Sequence, residues 1–571
     1  MKRRLVIGIL VLLAALPLTG QSRTVERVYV STDKDVFVAG DRVWCSVFCV
    51  TPESRLSSVS SLAYLELHGP DFLAATARIA LEGGRGAGYV DLPVSLPTGN
   101  YRLIAYTAQN KAEQGYDYEG LAAKTLSVFN VLTTERVGEG VEVLDNEAYE
   151  ALRSRVRPGM TGGVMTGSDP ATLALRWENG RLQIVNQTGE ALSLSLSVFH
   201  DDGILSNDNP GIGDFLQSVR TVGPKTFDNR IPADFEGEII RGRIAGYRPE
   251  MEADLAGKYA FIASPSDKSD LYAAPIQEDG SLTFYTAGIF GNKECICEIE
   301  GVDPRLSCHV ELTSPYVNSA VTPAAPLPLS PSLRQPLEAR SVAMQLQRRF
   351  ETDTLQDFLP HRTDGLFDEN VVIRYVLDDY TRFTTMEEVL VEIVTELKVR
   401  RGDDGARTIQ VNLRDAPTAP VFSVGQTLML LDGVPVFDQQ KILDYDPLLV
   451  AFIDIYPLTH FIGNRVFEGV ANFVTYKHNL PSFKFDENAR VVDYQGVCLP
   501  MAATGSLLAE ERDYPDYRQT IYWHPLLEVG AGESCAIECK LPLYKGRFTV
   551  VAEGLTASGE AVSRRISFEV R

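Results

Sequence analysis

Near its N-terminus the chain reads Val28-Tyr29-Val30-Ser31-Thr32-Asp33-Lys34-Asp35-Val36-Phe37-Val38-Ala39-Gly40-Asp41-Arg42-Val43-Trp44. Short apolar runs alternate here with polar residues, and residues 39–41 give a turn signal between two of them. Similar runs follow at 63–67 and 102–106, with a Gly-Gly turn signal at 83–84. Short strands and turns at this spacing predict a β-sandwich over residues 22–133.

A local pattern at Tyr101 supports this sandwich. Tyr101 follows Gly99 at the start of a late strand, which is typical of a tyrosine that ties a loop to a sheet. Residues 541–552 repeat the order of residues 96–105: Leu-Pro, a glycine, a polar residue, an aromatic residue and an apolar strand. This internal repeat predicts a C-terminal β-sandwich over residues 516–571.

The composition limits which class of protein the chain belongs to and which partners it can bind. Hydrophobic residues make up 44% of the 571 residues and charged residues 23%, so the chain can bury substantial cores. At roughly 100–200 residues per domain, the length indicates about three to five domains. The formal net charge is -22. Because an acidic chain repels phosphates and gains nothing from anionic lipid, we exclude nucleic acid as a main partner.

The N-terminus predicts export. Three basic residues after Met1 precede an apolar run from Leu5 to Leu16, and residues 17–21 have the composition of a cleavage region, so we predict a signal peptide over 1–20. The apolar run is too short to span a membrane as a helix, and no later run approaches the roughly 18 residues required. The first cysteine, Cys45, lies well past the cleavage region and gives no lipid-attachment site. We therefore expect a location in the periplasm or at the outer membrane or cell surface.

The eight cysteines predict mostly buried free thiols. Cys45 and Cys49 lie four residues apart on one strand, about 13 Å apart, which exceeds the roughly 7 Å limit for a disulfide. The same holds for the pair at 535 and 539. A bridge between Cys295 or Cys297 and Cys308 remains an option, since export permits disulfides. No spacing of cysteines and histidines favours a zinc site.

The pattern of residues 28–44 resembles the macroglobulin-type β-sandwich found near the N-terminus of alpha-2-macroglobulin-like proteins. The resemblance is carried by a strand, Thr32-Asp33-Lys34, an aromatic residue at Phe37, a glycine at Gly40 and a second strand. Asp35 and Ala39 stand where the family has proline. The resemblance covers roughly the predicted sandwich of 22–133.

Residues 383–480 resemble the plug domain of TonB-dependent outer-membrane receptors. Leu428 to Val436 match its central strand, with Asp432-Gly433 as the tight turn that follows an apolar strand. Val450 to Tyr456 and Glu468 to Lys477 match later strands. The 571-residue chain continues for only 93 residues after His478, too few for a receptor barrel. The resemblance therefore implies a plug-like α+β domain without the barrel.

Residues 236–300 resemble a carboxypeptidase regulatory-like β domain, and the residues that carry the resemblance are Asp279 to Phe284. Together the resemblances imply an exported Gram-negative protein that combines macroglobulin-type sandwiches with a barrel-less plug. The predicted fold class is mainly β and multidomain, with immunoglobulin-like or macroglobulin-type β-sandwiches and one small α+β plug-like domain. The remaining segments are a linker and β segment at 134–235, a regulatory-like β-sandwich at 236–313, a Pro-rich linker with a short helix at 314–382, and a linker at 481–515.

Three helices are predicted, the first a short one over residues 146–156. Val342, Leu346 and Phe350 lie four apart and predict the apolar face of an amphipathic helix after the prolines. Thr384 with Glu387, or Thr385 with Glu388, forms a capping box that predicts a helix running to about Glu396.

Catalytic motifs are not found in the sequence. The seven histidines are scattered, and neither HExxH nor GxSxG occurs. Cys308 and His309 are neighbours on a predicted strand, so their side chains point to opposite faces. Macroglobulins trap proteases with a thioester motif, Gly-Cys-Gly-Glu-Gln, and the nearest match, Gly532 to Cys535, lacks the glutamine. We assign no catalytic, cofactor-binding or metal-binding residues and predict that the chain is not an enzyme.

The oxygen-rich loop at 201–214 is the one segment that suggests an ion. It contains Asp201, Asp202, Asn207 and Asp208. Calcium favours such ligands, but the spacing is not that of an EF-hand. Both a calcium site and a solvated turn cluster remain open.

These observations predict a non-enzymatic envelope scaffold or protein-binding module at the periplasm or outer membrane. Its partner would be another envelope protein, bound through strand edges or the plug-like domain. One alternative is an accessory protein of a TonB-dependent uptake system that binds a glycan or peptide. Another is a macroglobulin-like protease-interacting protein without a thioester.

Overall fold

The computed structural model describes the chain from residue 23 to residue 571, apart from 121–122, 139, 157–171, 179, 267–269, 304, 350–355, 359–366, 368–371, 403–404, 416–420, 500, 505–516 and 543–544. The predicted signal peptide at 1–20 lies outside the described residues. As predicted, the chain is mainly β, with many small sheets and several hydrophobic cores. None of the described helices is long and apolar enough to cross a membrane.

The N-terminal part is a two-sheet sandwich. Its elements are β1 (Arg27–Thr32), β2 (Val36–Val38), β3 (Arg42–Val50), β4 (Leu62–His68), β5 (Leu73–Ala80), β6 (Arg85–Asp91), β7 (Gly99–Tyr106), α1 (Ala108–Ala112) and β8 (Lys124–Phe129). The strand orders are β1-β3-β6 and β2-β8-β7-β4-β5. Apolar residues of both sheets, among them Val47, Leu65 and Leu103, form one buried core. The β-sandwich that the strand spacing predicts is confirmed.

Tyr101 ties a loop to this sandwich, as predicted. The side chain is 0% exposed, and its hydroxyl donates a hydrogen bond to the carbonyl oxygen of Pro97 at 2.7 Å. Nearly all of β3 is buried because later parts of the chain cover its outer face. Trp44, for example, lies 5.6 Å from Trp523 between ring centroids.

The next part supplies strands to the C-terminal sheets. Its elements are β9 (Val141–Val143), α2 (Asn146–Val156), β10 (Leu173–Glu178), β11 (Arg181–Asn186), β12 (Leu192–His200) and α3 (Ile212–Val219). The apolar face of α3, including Phe215 and Leu216, packs on Tyr29 and Phe48 of the first sandwich. Residues 134–235, predicted as a linker and β segment, contain two helices: α2 coincides with the helix predicted at 146–156, and α3 was not predicted.

Residues 239–312 form two small sheets around a shared core. Their elements are β13 (Ile239–Ala245), α4 (Glu252–Leu255), β14 (Tyr259–Ser264), β15 (Asp270–Pro275), β16 (Ser281–Tyr285), β17 (Asn292–Ile299) and β18 (His309–Leu312). One sheet has the order β16-β13-β18, and β14 pairs with both β15 and β17 in the other. Gly280 has φ +75° at the turn before β16, a conformation that favours glycine.

A helix follows the prolines, but its buried face differs from the prediction. The elements are β19 (Leu327–Leu329), α5 (Arg334–Arg349) and β20 (Gln356–Phe358). Val342 is 51% exposed, whereas Leu337, Arg340 and Met344 are buried. Phe350 lies outside the described residues. The predicted face was wrong because α5 turns the side chain of Arg340 inward, where a buried acid pairs with it.

Residues 373–475 form the α+β part. Its elements are β21 (Ile373–Val376), α6 (Met386–Glu392), β22 (Leu397–Arg401), β23 (Arg407–Leu413), β24 (Val421–Phe422), β25 (Leu428–Leu431), β26 (Val434–Pro435), α7 (Gln439–Leu443), β27 (Val450–Ile462) and β28 (Arg465–Thr475). The sheets are β21-β27-β28-β25-β26 and β22-β23-β24. Thr385 caps α6 by accepting from Glu388 N, as predicted, although the helix ends at Glu392. The Asp432-Gly433 turn is also confirmed, with φ +48° and +81°.

The last strands are β29 (Arg490–Gln495), β30 (Met501–Thr504), β31 (Thr520–Val529), β32 (Ser534–Glu538), β33 (Gly546–Thr556) and β34 (Ala561–Val570). The predicted linker at 481–515 thus contains two strands, because β29 pairs with β17 and β30 with β31. The C-terminal sheet has the order β20-β30-β31-β12-β33-β34, so β12 lies at its centre. The predicted C-terminal sandwich at 516–571 is completed by strands from residues 173–200. Short 3₁₀ helices lie at Pro249–Met251, Pro331–Leu333, Leu377–Asp379 and Pro447–Leu449.

Candidate functional site

The acidic loop at 201–214 uses its polar side chains to hold neighbouring elements. Asp202 forms an ion pair with the buried Arg340, with 2.5 Å between Oδ2 and Nε. Asn209 Oδ1 accepts from Thr125 N at 2.7 Å on the first sandwich. Within the described part of the chain, no group of three or more His, Cys, Asp or Glu could hold a metal ion. These contacts give Asp202 and Asn209 a structural role within the fold.

The cysteines and the Cys308-His309 pair show no reactive arrangement. All eight cysteines are free, and burial raises the pKa of each thiol. The bridge considered between Cys295 or Cys297 and Cys308 is not formed. The ring of His309 faces Arg490 at 3.4 Å, while Cys308 is buried beside Asn488. A raised thiol pKa means little thiolate, so these residues are poor nucleophiles.

A cavity of about 240 Å³ lies where residues 313–317 cross the first sandwich. We call it the linker cavity. Its charged and aromatic lining residues are Tyr64, Lys111, Asp234, Glu238, Arg241, Tyr316 and Tyr494. They come from five separate parts of the chain, which the fold brings together. Such convergence of charged and aromatic groups in one cavity marks a candidate binding site.

Lys111 is the most perturbed cation of this cavity. Its Nζ donates to the carbonyl oxygen of Pro315 at 3.0 Å and lies 3.5 Å from the ring centroid of Tyr64. Burial lowers the pKa of Lys111 to about 8, Asp234 opposes that shift, and Arg241 adds to it. Lys111 therefore stays mostly protonated at neutral pH, with donor capacity left for a further acceptor.

Two buried carboxylates supply the opposite charge. Asp234 is 2% exposed and accepts from the Tyr64 hydroxyl at 2.7 Å. Glu238 is 1% exposed, forms an ion pair with Arg78 and accepts from the Tyr494 hydroxyl at 2.6 Å through Oε1. The other oxygen of Glu238, Oε2, has no hydrogen-bond partner among the described residues. A buried carboxylate oxygen without a donor is costly, so a water molecule or a ligand that donates a hydrogen bond would stabilise it.

Glu66 holds the segment that covers the cavity. Its carboxylate accepts from Val317 N at 2.8 Å and from Asn318 N at 3.0 Å, and the Tyr106 hydroxyl and the His68 ring also bond to it. Burial raises the pKa of Glu66, but these hydrogen bonds outweigh burial and the net pKa is lowered. Residues 313–318 are thus tied to the first sandwich by a charged acceptor.

An exposed apolar surface lies at the end of the β27–β28 hairpin. Phe461 is 68% exposed, and Val466, its partner across the hairpin, is 43% exposed. Val424 is 83% exposed, and its backbone N–H donates to Glu468 on β28 at 3.0 Å. Phe461, Val466 and Val424 form what we call the hairpin patch. It extends past β21 and β25, which pair only with the other end of the hairpin.

The chain has distant likenesses among solved structures and none among family models or curated sequences. No family model matches the chain, and no curated protein matches it in sequence. Among solved structures, Escherichia coli alpha-2-macroglobulin activated by porcine elastase shares 9% identity, with a TM-score of 0.23 over 95% of this chain and 43% of that one. A mutant Salmonella alpha-2-macroglobulin shares 9%, with a TM-score of 0.23 over 98% and 40%. The Escherichia coli adhesin FdeC shares 11%, with a TM-score of 0.15 over 49% and 60%.

These likenesses carry no argument about family or function at such TM-scores. The chain spans less than half the length of the macroglobulins it matches. The macroglobulin-type resemblance therefore rests on the motif at 28–44 and on the sandwich those residues help to form. The plug resemblance stays a prediction.

The sequence did not point to the linker cavity. Lys111 and Glu238 belong to no recognisable motif, and each lies in a stretch that mixes polar and apolar residues. They meet because β4, α1 and the segment before β13 pack together with residues 313–317. The hairpin patch had a weak signal: Phe461 and Val466 flank the Gly463 turn.

Proposed function

We propose that this chain is an exported, non-enzymatic protein of the Gram-negative envelope that binds another envelope protein through the hairpin patch. The observation that carries this proposal is the exposure of Phe461 and Val466 at the hairpin end, beside the exposed Val424. An aromatic side chain at the centre of an apolar patch is typical of a protein-binding surface. The basic and apolar N-terminal pattern supports export.

The surroundings of the patch suit a protein partner. Thr459 and Glu468 pair across the hairpin two residues along from Phe461 and Val466, on the same face, and give the patch a polar rim. The opposite face is anchored, since Ile462 and Phe467 are buried in the adjoining core. A rigid ribbon with one free apolar face offers a preorganised surface, which lowers the entropic cost of binding.

The roles of the buried acids support a non-enzymatic function. Glu26 accepts from the hydroxyls of Ser57, Ser60 and Thr107 inside the first sandwich. Glu66 holds residues 317–318. Acids that are engaged in holding the fold are not available for proton transfer to a substrate. Turnover of any substrate in a broad panel, lost when one acid or histidine is replaced, would overturn this part of the proposal.

The test is recovery of a partner from envelope membranes with the tagged chain. Phe461→Ser and Val466→Ser together remove the centre of the patch, and we expect partner recovery to fall about tenfold or more. Val391→Ser is the matched control, because Val391 is 67% exposed in the same part of the chain but lies on α6. Equal recovery by the double variant and the unaltered chain would rule out the hairpin patch as the binding surface.

A further inference from the structure

We propose that the linker cavity binds a free amino acid, with its carboxylate at Lys111 and Arg241 and its ammonium group at Glu238. This site is separate from the hairpin patch, and its occupancy does not depend on a protein partner. The proposal rests on three features of the cavity: paired cations, a buried carboxylate oxygen without a donor, and a small volume.

The cations form the anion-binding side. Lys111 and Arg241 both line the cavity and are near enough for Arg241 to lower the pKa of Lys111. Lys111 uses one contact for Pro315 O and one for the ring of Tyr64. The Arg241 guanidinium donates a long hydrogen bond, of 3.4 Å, to the carbonyl oxygen of Arg230. Two like charges held together in a partly buried site are stabilised by a bound carboxylate.

Glu238 forms the cation-binding side. One oxygen is already used by Arg78 and Tyr494, which fixes the carboxylate in place. The second oxygen, Oε2, lacks a donor among the described residues although Glu238 is only 1% exposed. Asp234 also lines the cavity, and its negative charge acts on Lys111 and Arg241. An ammonium group brings several donors and a positive charge, and so satisfies this oxygen better than a hydroxyl does.

The size and remaining walls restrict the ligand further. A volume of about 240 Å³ lies below the roughly 300–1,000 Å³ of pockets for drug-sized molecules, so a small ligand is indicated. Ala108, Ile240 and Val317 give the cavity an apolar wall. That wall would receive a small apolar side chain, and L-alanine and L-valine are therefore the first probes.

Binding is measured by calorimetry on the full mature chain, with L-alanine, L-valine and other free L-amino acids as probes. Acetate, methylamine and L-lactate are the partial ligands. We expect at least one amino acid to bind and the partial ligands to bind at least about tenfold more weakly, since each lacks one charge-assisted hydrogen bond. Affinity should also fall as the pH rises past about 8, because Lys111 then loses its proton.

Lys111→Met should weaken binding about tenfold or more while the chain stays folded. Lys398→Met is the matched control: Lys398 also lies over an aromatic ring, that of Phe422 at 5.4 Å, but far along the chain on β22. If Lys111→Met does not fold, Arg241→Met replaces it. Binding that survives both variants, equal binding of L-lactate, or no binding by any amino acid would each overturn the proposal.

Discussion

Glu298 is an ionisable side chain whose burial lowers the stability of the folded chain. It lies on β17 and is 7% exposed, facing Asp486 and Lys441 of the later chain. Burial raises the pKa of Glu298 from 4.5 to about 8, Asp486 adds to that increase, and Lys441 opposes it. Lys441 pairs with Asp486 at 2.7 Å, so it stabilises the Glu298 carboxylate less. Glu298 is therefore neutral in the folded chain over much of the acidic range.

Glu298→Gln should stabilise the protein in a pH-dependent way. Below about pH 4.5 the acid is protonated in both folded and unfolded chains, and it imposes no electrostatic penalty. As the pH rises from 4.5 to about 8 the unfolded chain loses the proton first, so the unaltered protein loses stability, and above that range the loss is constant. We expect the variant to gain on the order of 4–5 kcal/mol at pH 8.5 and almost nothing at pH 4.5.

Urea denaturation at the two pH values measures this difference. Glu294→Gln is the matched control, since Glu294 is an exposed acid on the same strand. A gain for Glu298→Gln that is the same at both pH values would contradict the burial of an ionisable group at this position.

Local residue patterns were predictable, and long-range residue clusters were not. The hydrogen bond of Tyr101 to Pro97, the Asp432-Gly433 turn and the Thr385 cap each depend on residues within four positions. The ion pair of Arg78 with Glu238 joins positions 160 apart, and no local pattern records it. Such pairs depend on which strands become neighbours in the fold, and the pattern of a single sequence does not predict those neighbours.

At the scale of elements, helix α5 shows that a prediction from apolar spacing fails where a polar residue is buried. The sequence predicted the apolar face from Val342 and Leu346. The structure buries Leu337, Arg340 and Met344 instead, at spacings of three and four residues. Arg340 is 5% exposed because it pairs with Asp202 and donates to the carbonyl oxygen of Val36 at 2.7 Å. An arginine counted as polar thus lies on the packed face.

Arg340→Met should destabilise the protein by about 3–5 kcal/mol, because the change leaves Asp202 buried without its partner. Methionine keeps the length and apolar stem of the side chain, so the loss reports the ion pair rather than a cavity. The free energy of unfolding from urea denaturation gives the magnitude. Hydrogen exchange should show the largest change in loop 201–214 and in β2, the two segments that Arg340 joins.

Arg334→Met is the control within the same helix. Arg334 pairs with Glu338 at 2.9 Å, but its side chain is 84% exposed, so we expect a change below about 0.5 kcal/mol. Equal effects of the two substitutions would show that burial of the Arg340 pair contributes nothing.

At the scale of the whole molecule, the order of segments along the chain differs from their order in space. The sequence predicted β-sandwiches near both ends, from strand spacing in the N-terminal part and from the internal repeat in the C-terminal part. It did not predict that β12 would lie at the centre of the C-terminal sheet, paired with β31 on one side and β33 on the other. About 320 positions separate β12 from β31. Each strand carries an apolar pattern that fits a β-sandwich, but the pattern does not specify which strand it pairs with.

This topology predicts that the chain does not divide at residue 515. Removing residues 517–571 takes away both neighbours of β12 and exposes Leu194, Leu196 and Val198, all 0% exposed in the intact chain. We expect the shortened chain to lose the fold of residues 173–200 and to aggregate, because an unpaired apolar strand is an open edge. Limited proteolysis should cut first between residues 173 and 200. Adding the 517–571 fragment during refolding should restore protection, since it supplies the missing strands. Protection of residues 173–200 without that fragment would mean that β12 folds independently of the C-terminal strands, and that the two parts are separate domains.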